Sequence, residues 1–251
     1  MRIFALADAH LSLGADKPMD IFGAAWENHA ERLRAAWSET VGEEDLVLVP
    51  GDISWAMTLE NAKPDLAFLG ALPGKKLLLR GNHDYWWSSA TKVRTFLPEG
   101  MRIIQNDALV YGDFVIGGSR GWTFPGGEPL PGAEESRDRH IYTRELMRME
   151  MSLAAMPAGR RRVFMTHFPP CDRAHPDTEV TALMERYGVE TVVYGHLHGP
   201  SHRMAFIGEH NGVRYAFAAA DYLDFRPLCI AETEDARGNT ETERALETAT
   251  D

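Results

Sequence analysis

Cysteine is scarce in this chain. Cys171 and Cys229 are the only two among 251 residues and lie far apart, so no disulfide framework is implied and a reducing, cytoplasmic setting is expected. Apolar residues do not accumulate at the start either: five follow Met1-Arg2 before Asp8 interrupts them, too few for a signal-peptide core or a membrane span. Basic charge is in deficit, with 26 Lys and Arg against 37 Asp and Glu and a net charge of −11. A basic stripe that grips many phosphates of a long nucleic acid is therefore not expected, which leaves short oligonucleotides and nucleotides open as ligands.

The composition does supply a core. Hydrophobic residues make up 44% of the chain, enough for one large α/β domain or two small ones. With no internal repeat and no linker, the reading is a single domain over residues 1–231, followed by a polar acidic tail, 232–251.

The organising stretch is Gly81-Asn82-His83-Asp84, which follows the apolar run Lys76-Leu77-Leu78-Leu79 and precedes a helix that Ser88 or Ser89 can cap and that runs to about Leu97. Four other apolar runs end in the same kind of residue. Ile3 to Ala7 runs into Asp8-Ala9-His10, Leu46 to Val49 into Pro50-Gly51-Asp52, Val163 to Thr166 into His167, and Val192 to Tyr194 into Gly195-His196-Leu197-His198. Each reads as a strand buried on both faces, and parallel strands aim their carboxyl ends one way, so five distant loops can converge.

Between these motifs, residues 11–23 read as a loop past the site, and 25–41 as a helix with Trp26, Ala30, Leu33, Ala36 and Trp37 on one face. A second helix is expected from about Pro64 to Gly70, short strands at 101–104, 108–111 and 114–116, and a Gly/Pro-rich loop at 117–132 that carries Arg120, Trp122 and Phe124. Helices are then expected over 134–156, with Ile141, Leu146, Met149 and Leu153 inward, and over 177–187, before a hairpin around His210-Asn211-Gly212 and a last strand at 225–231.

The collected residues suit a pair of cations. Asp8 with His10 places a hard oxygen and a borderline nitrogen two residues apart in a turn, His196 with His198 repeats the spacing with two nitrogens, and such mixed N/O shells suit Mn, Fe, Ni, Co or Zn better than Mg or Ca. A carboxylate such as Asp52 has the two oxygens needed to bridge metals about 3.5–4 Å apart, and Asn82 adds a neutral oxygen.

In this order, the blocks D-x-H, G-D, G-N-H-D, H and G-H-x-H resemble the calcineurin-like metallophosphoesterase superfamily from Asp8 to His198. Together with Met19 to Gly23, Gly51 to Trp55 and Gly81 to Trp87, they are similar to a bacterial subgroup described as predicted phosphohydrolases. The resemblance implies an α-β-β-α four-layer sandwich of two mixed sheets and a two-metal phosphoester hydrolase. Asp8, His10, Asp52 and His198 would hold one metal, and Asp52, Asn82, His167 and His196 the other. A hydroxide shared by the two cations would be the nucleophile, and His83 would protonate the leaving oxygen or orient the phosphate.

The match departs after Asp52. Protein phosphatases of the superfamily carry there an Asp that orients the catalytic His, then an Arg for the phosphate, where this chain has Trp55 and Ala56. Either Asp84 or a backbone carbonyl is then left to orient His83. Without that Arg fork a diester is the expected substrate, contacted by Asn82, His83, Trp55, Tyr85, Trp86, Arg120 and Trp122, with Arg120 and Arg137 in reserve for a monoester. A phosphomonoesterase and a metal-free protein-binding scaffold are the alternatives. Asp221 is a further candidate to support a ligand, and His202 lies close enough to His198 to reach a substrate.

Overall fold

A computed structural model describes residues 1–126 and 135–233, the side chains of 135–137 excepted. Residues 127–132 of the Gly/Pro-rich loop, the Arg137 side chain and the tail from 234 to 251 lie outside the described residues.

The strands form two mixed sheets. In the first, β1 (Arg2–Ala5), β2 (Leu46–Pro50), β3 (Lys75–Leu79) and β4 (Met101–Ile103) run parallel, and β11 (Leu228–Glu232) pairs antiparallel with β1. In the second, the order is β5 (Ala108–Tyr111), β6 (Phe114–Gly118), β7 (Arg161–Met165), β8 (Thr191–Tyr194), β10 (Val213–Phe217) and β9 (Gly208–His210), with the two outer pairs antiparallel and the middle parallel.

The layering follows from period-two strands that are apolar on both faces. Ile3, Ala5, Leu46, Leu48 and Leu77 meet Ile116, Val163, Met165 and Val193 in a cluster between the sheets. The alternate residues Phe4, Val47, Val49 and Leu78 face the other way, against Leu33 and Trp37 of α1 (His29–Thr40), Leu66 and Leu69 of α2 (Lys63–Gly70) and Val93 of α3 (Ala90–Phe96). On the far side, Val115, Phe164, Val192 and Phe217 pack on α4 (Glu135–Ala154) and α5 (Glu179–Arg186). Helices, two sheets and helices make four layers, as expected.

Two element boundaries and the buried face of one helix differ from the sequence reading. The helix expected over 25–41 begins only at His29, because Asn28 is left-handed at φ 51°, and Trp26 sits in a short 3-10 turn, Ala24–Trp26. The last strand begins at Leu228 rather than 225, since Asp224 and Phe225 also have positive φ. On α4, Tyr142 and Glu145 are buried with Met149 and Leu153, whereas Ile141 and Leu146 are half-buried and Met147 and Met151 are exposed.

Candidate metal centre

The loops after β1, β2, β3, β7 and β8 converge on one point where the two sheets meet. Ligand atoms of Asp8, His10 and His198 lie within 4.8 Å of one another, and so do those of Asp52, His167 and His196. Asp52 Oδ2 stands between the groups, 3.8 Å from His10 Nε2 and 3.4 Å from His167 Nε2. Asn82 Oδ1 is 2.6 Å from His167 Nε2 and 3.0 Å from His196 Nδ1. All seven residues named as ligands from the sequence are thus brought together.

Backbone conformation places them. Asp8, His10, Asp52 and His196 adopt left-handed φ of 60°, 44°, 52° and 75°, a region that non-glycine residues rarely occupy and that clusters at functional sites. The motif glycines are there for a neighbour's ligand: a Cβ on Gly81 would collide with the Asp52 carboxylate, and one on Gly195 with that of Asp8. Each motif is therefore cut to fit another.

Donor chemistry fits metal ions. Asp8 is fully buried and its Oδ1 has no hydrogen-bond partner among the described residues. Ring nitrogens face ring nitrogens, His10 Nε2 to His198 Nε2 and His196 Nδ1 to His167 Nε2, each at 3.2 Å. The far nitrogens of two rings are tied down, His167 Nδ1 by the Pro50 carbonyl at 3.0 Å and His198 Nδ1 by Asp221 at 3.0 Å, which turns each Nε2 lone pair inward. Lone pairs aimed at a shared point are the arrangement of a cation site.

Burial pushes the Asp8 carboxyl up to about 7 and, with the neighbouring His167, pulls His196 down to about 3. Burial acts downward on His167 too, but Asp52 and Asp8 carry it up to about 9. Divalent charge in the centre would reverse this logic, ionising the carboxylates and keeping the imidazoles neutral.

Around the donors the structure corrects several expectations. Asp84 does not orient His83: Oδ1 accepts from the Ile53 and Ser54 amides and Trp86 Nε1, and Oδ2 from the Asp52 and Gly81 amides. It is a positioning residue rather than a catalytic one. His83 Nδ1 has no partner among the described residues, so a backbone carbonyl does not hold it either. Its amide donates to Asp52 Oδ1 at 2.8 Å, and its ring lies 5.8 Å from that of His10.

Trp86 is 1% exposed and packs in the core beside Trp87, so it cannot touch substrate. Trp55 does reach the site, stacked on His10 at 4.8 Å and tilted against His83 at 4.5 Å, but Lys17 Nζ sits 3.1 Å from its ring centroid and little of it is open. Tyr85 is exposed, its ring 6.1 Å from that of His83. Trp122 stands one residue back, against Phe168, whose ring is 4.3 Å from that of His196. Arg120 flanks the site, its carbonyl accepting from the His167 amide at 2.9 Å. His202 Nε2 lies 3.1 Å from Asp221, beside a ligand rather than in front of it.

Two wall residues escaped the sequence reading. Trp26, read as core, presents its edge to His10 at 5.7 Å and to His198 at 5.6 Å. Lys17 lies in a loop without periodicity, and only its fold over Trp55 brings it in.

A family model described as calcineurin-like phosphoesterase matches residues 1–200. The Gene 66 protein of Mycobacterium phage L5 is 26% identical over 192 residues, 76% of this chain and 75% of that protein. Its counterpart in Mycobacterium phage D29 is 40% identical over 75 residues, 30% of this chain and 37% of that one. Among solved structures, the phosphopantetheinyl hydrolase of Mycobacterium tuberculosis superposes with a TM-score of 0.57 at 15% identity, covering 93% of this chain and 96% of that one. That similarity concerns the fold.

Proposed function

The chain belongs to the calcineurin-like phosphoesterase family and is a phosphoester hydrolase, and from that premise we propose that it is a two-metal phosphodiesterase. The observation that carries this reading is Asp52 Oδ2 standing between two complete donor groups. Asp8, His10 and His198 would hold one divalent transition ion, Asn82, His167 and His196 the other, and Asp52 would serve both. When bound, such ions supply Lewis acidity to phosphoryl oxygens and lower the pKa of water toward neutrality.

The chain's own residues do the rest. Asp221 and Pro50 hold Nδ1 of His198 and His167, so each ring would offer an unprotonated Nε2 to a bound ion. Trp26 and Trp55 exclude water behind His10. Burial lowers the pKa of His83 in the free protein, and the anionic phosphoryl group that arrives beside it raises it again, so its proton is available to the leaving oxygen.

A diester is favoured because the residues after Asp52, Trp55 and Ala56, are an indole and a buried methyl rather than an Arg fork. The exposed Tyr85 offers a surface to an aryl, base or lipid substituent. Arg120 beside the site supports the second reading, a phosphomonoesterase. Comparing kcat/KM for matched aryl diester and monoester substrates decides between them; a clear monoester preference that Arg120→Ala abolishes would overturn the diester reading. The closeness of all seven proposed ligands supports a metal centre over a metal-free scaffold. The two free cysteines agree with a cytoplasmic setting.

A further inference from the structure

A polar cavity outside the donor set is lined in part by residues of the loops that carry proposed ligands. It has a volume of about 150 Å³ and is lined by Arg80, Gln105, Asn106, Arg120, Glu145 and Arg148 among others. The lining comes from the ends of β3, β4 and β6 and the middle of α4, where the two sheets meet. Arg80 precedes Gly81-Asn82 directly, and the Arg120 carbonyl holds the His167 amide, so both arginines sit on loops that place proposed ligands.

The charges do not cancel. Three guanidinium groups face one carboxylate, in a protein whose net charge is −11. Glu145, 2% exposed, is already engaged: Oε1 pairs with Arg148 at 2.5 Å and lies 3.9 Å from Arg120, while Oε2 accepts from Ser119 Oγ at 2.8 Å and the Gly121 amide at 3.2 Å. Arg80 Nε is buried without a hydrogen-bond partner among the described residues. Holding three arginines together around one spent carboxylate is unfavourable unless an anion joins them, and planar guanidinium forks match the oxygens of a phosphate. Gln105 and Asn106 can add neutral donors.

We propose that this cavity is a second anion site, which receives a phosphate group of the substrate other than the one hydrolysed at the metal centre. The proposal rests on the phosphoesterase reading and narrows it to substrates with two phosphoryl groups, such as pyrophosphate-linked or doubly phosphorylated compounds. Arg80 links the sites covalently, two residues from Asn82.

The test separates binding from catalysis. Chelator-stripped protein is titrated with inorganic phosphate and followed by 31P NMR, for the wild type, Arg80→Gln, Arg148→Gln and Arg148→Lys. Saturable binding is expected, weakened at least about tenfold in each Gln variant, partly restored in Arg148→Lys, and weaker as salt is raised. No saturable binding, or equal affinity in all four proteins, would overturn the proposal. In Mn-loaded protein, Arg148→Gln should lower kcat/KM for an aryl ester that carries a second phosphate about tenfold more than for the same ester without it. An unchanged ratio would also overturn it. Phosphate binding that depends on the arginines in a protein that hydrolyses no ester would instead refute the phosphoesterase reading and leave the anion site standing.

Discussion

The carboxylate of Asp84 accepts a hydrogen bond from the backbone amide of Asp52 at 3.0 Å, so the loop after β3 fixes the loop after β2 at the residue that stands between the two donor groups. Five N–H groups end on this one buried side chain. Either orientation of an amide in its place would set an NH2 against two or three of those donors. Asp84→Asn is therefore expected to lower unfolding stability by about 2–4 kcal/mol, by denaturant titration, and metal affinity by about 10–100-fold. At saturating metal its kcat should fall less than that of a His83 variant. A kcat loss as large as that of His83→Ala, with stability intact, would restore Asp84 to a catalytic role.

His83 contributes its ring to the site and none of the donor atoms. Replacing it with Ala should leave metal content nearly unchanged and lower the hydrolysis rate about 10²–10⁴-fold. Loss of metal in that variant, read by elemental analysis, would contradict the assignment.

Asp221 acts through His198, whose Nδ1 it holds at 3.0 Å. Asp221→Asn removes the charge and frees the imidazole to change tautomer, so metal affinity should fall about 10–100-fold. An unchanged dissociation constant in a chelator-competition titration would show that the pair is structural only.

Lys76 offers a test of packing away from the site. It is 2% exposed, its ammonium donates to the Gly70 and Leu72 carbonyls, and burial pulls its pKa down to about 8. In the unfolded chain the value is about 10.4. Between these values the unfolded state binds the extra proton, so stability rises with pH. Relative to Lys76→Met, wild-type protein should gain on the order of 1–3 kcal/mol from pH 8 to about pH 10.4. A gap that stays constant across that window would mean that the ammonium remains charged in the fold.

The donor set was legible because each member directly follows a strand that is apolar on both faces, and a strand end is where short polar motifs stand out. The two sheets were legible only through the family resemblance. Parallel apolar runs do not reveal that β1, β2 and β3 belong to one sheet and β7 and β8 to another. What sequence could not show is set by tertiary packing. Trp26 falls on the expected apolar face of a helix, yet left-handed Asn28 delays the start of that helix to His29 and leaves the indole beside His10. Asp84 sits next to His83 in the chain but points into the β2 loop. The arginine cavity joins Arg80, Arg120 and Arg148 from three separate stretches, so no local pattern announces it.

The central claim, hydrolysis that depends on two metal ions per chain, is tested most directly by titrating chelator-stripped protein with Mn while following hydrolysis of an aryl phosphodiester. The rate should rise from near zero and level off at two equivalents of Mn per chain. A protein that binds two equivalents and hydrolyses nothing, or one that is equally active when stripped, would contradict it.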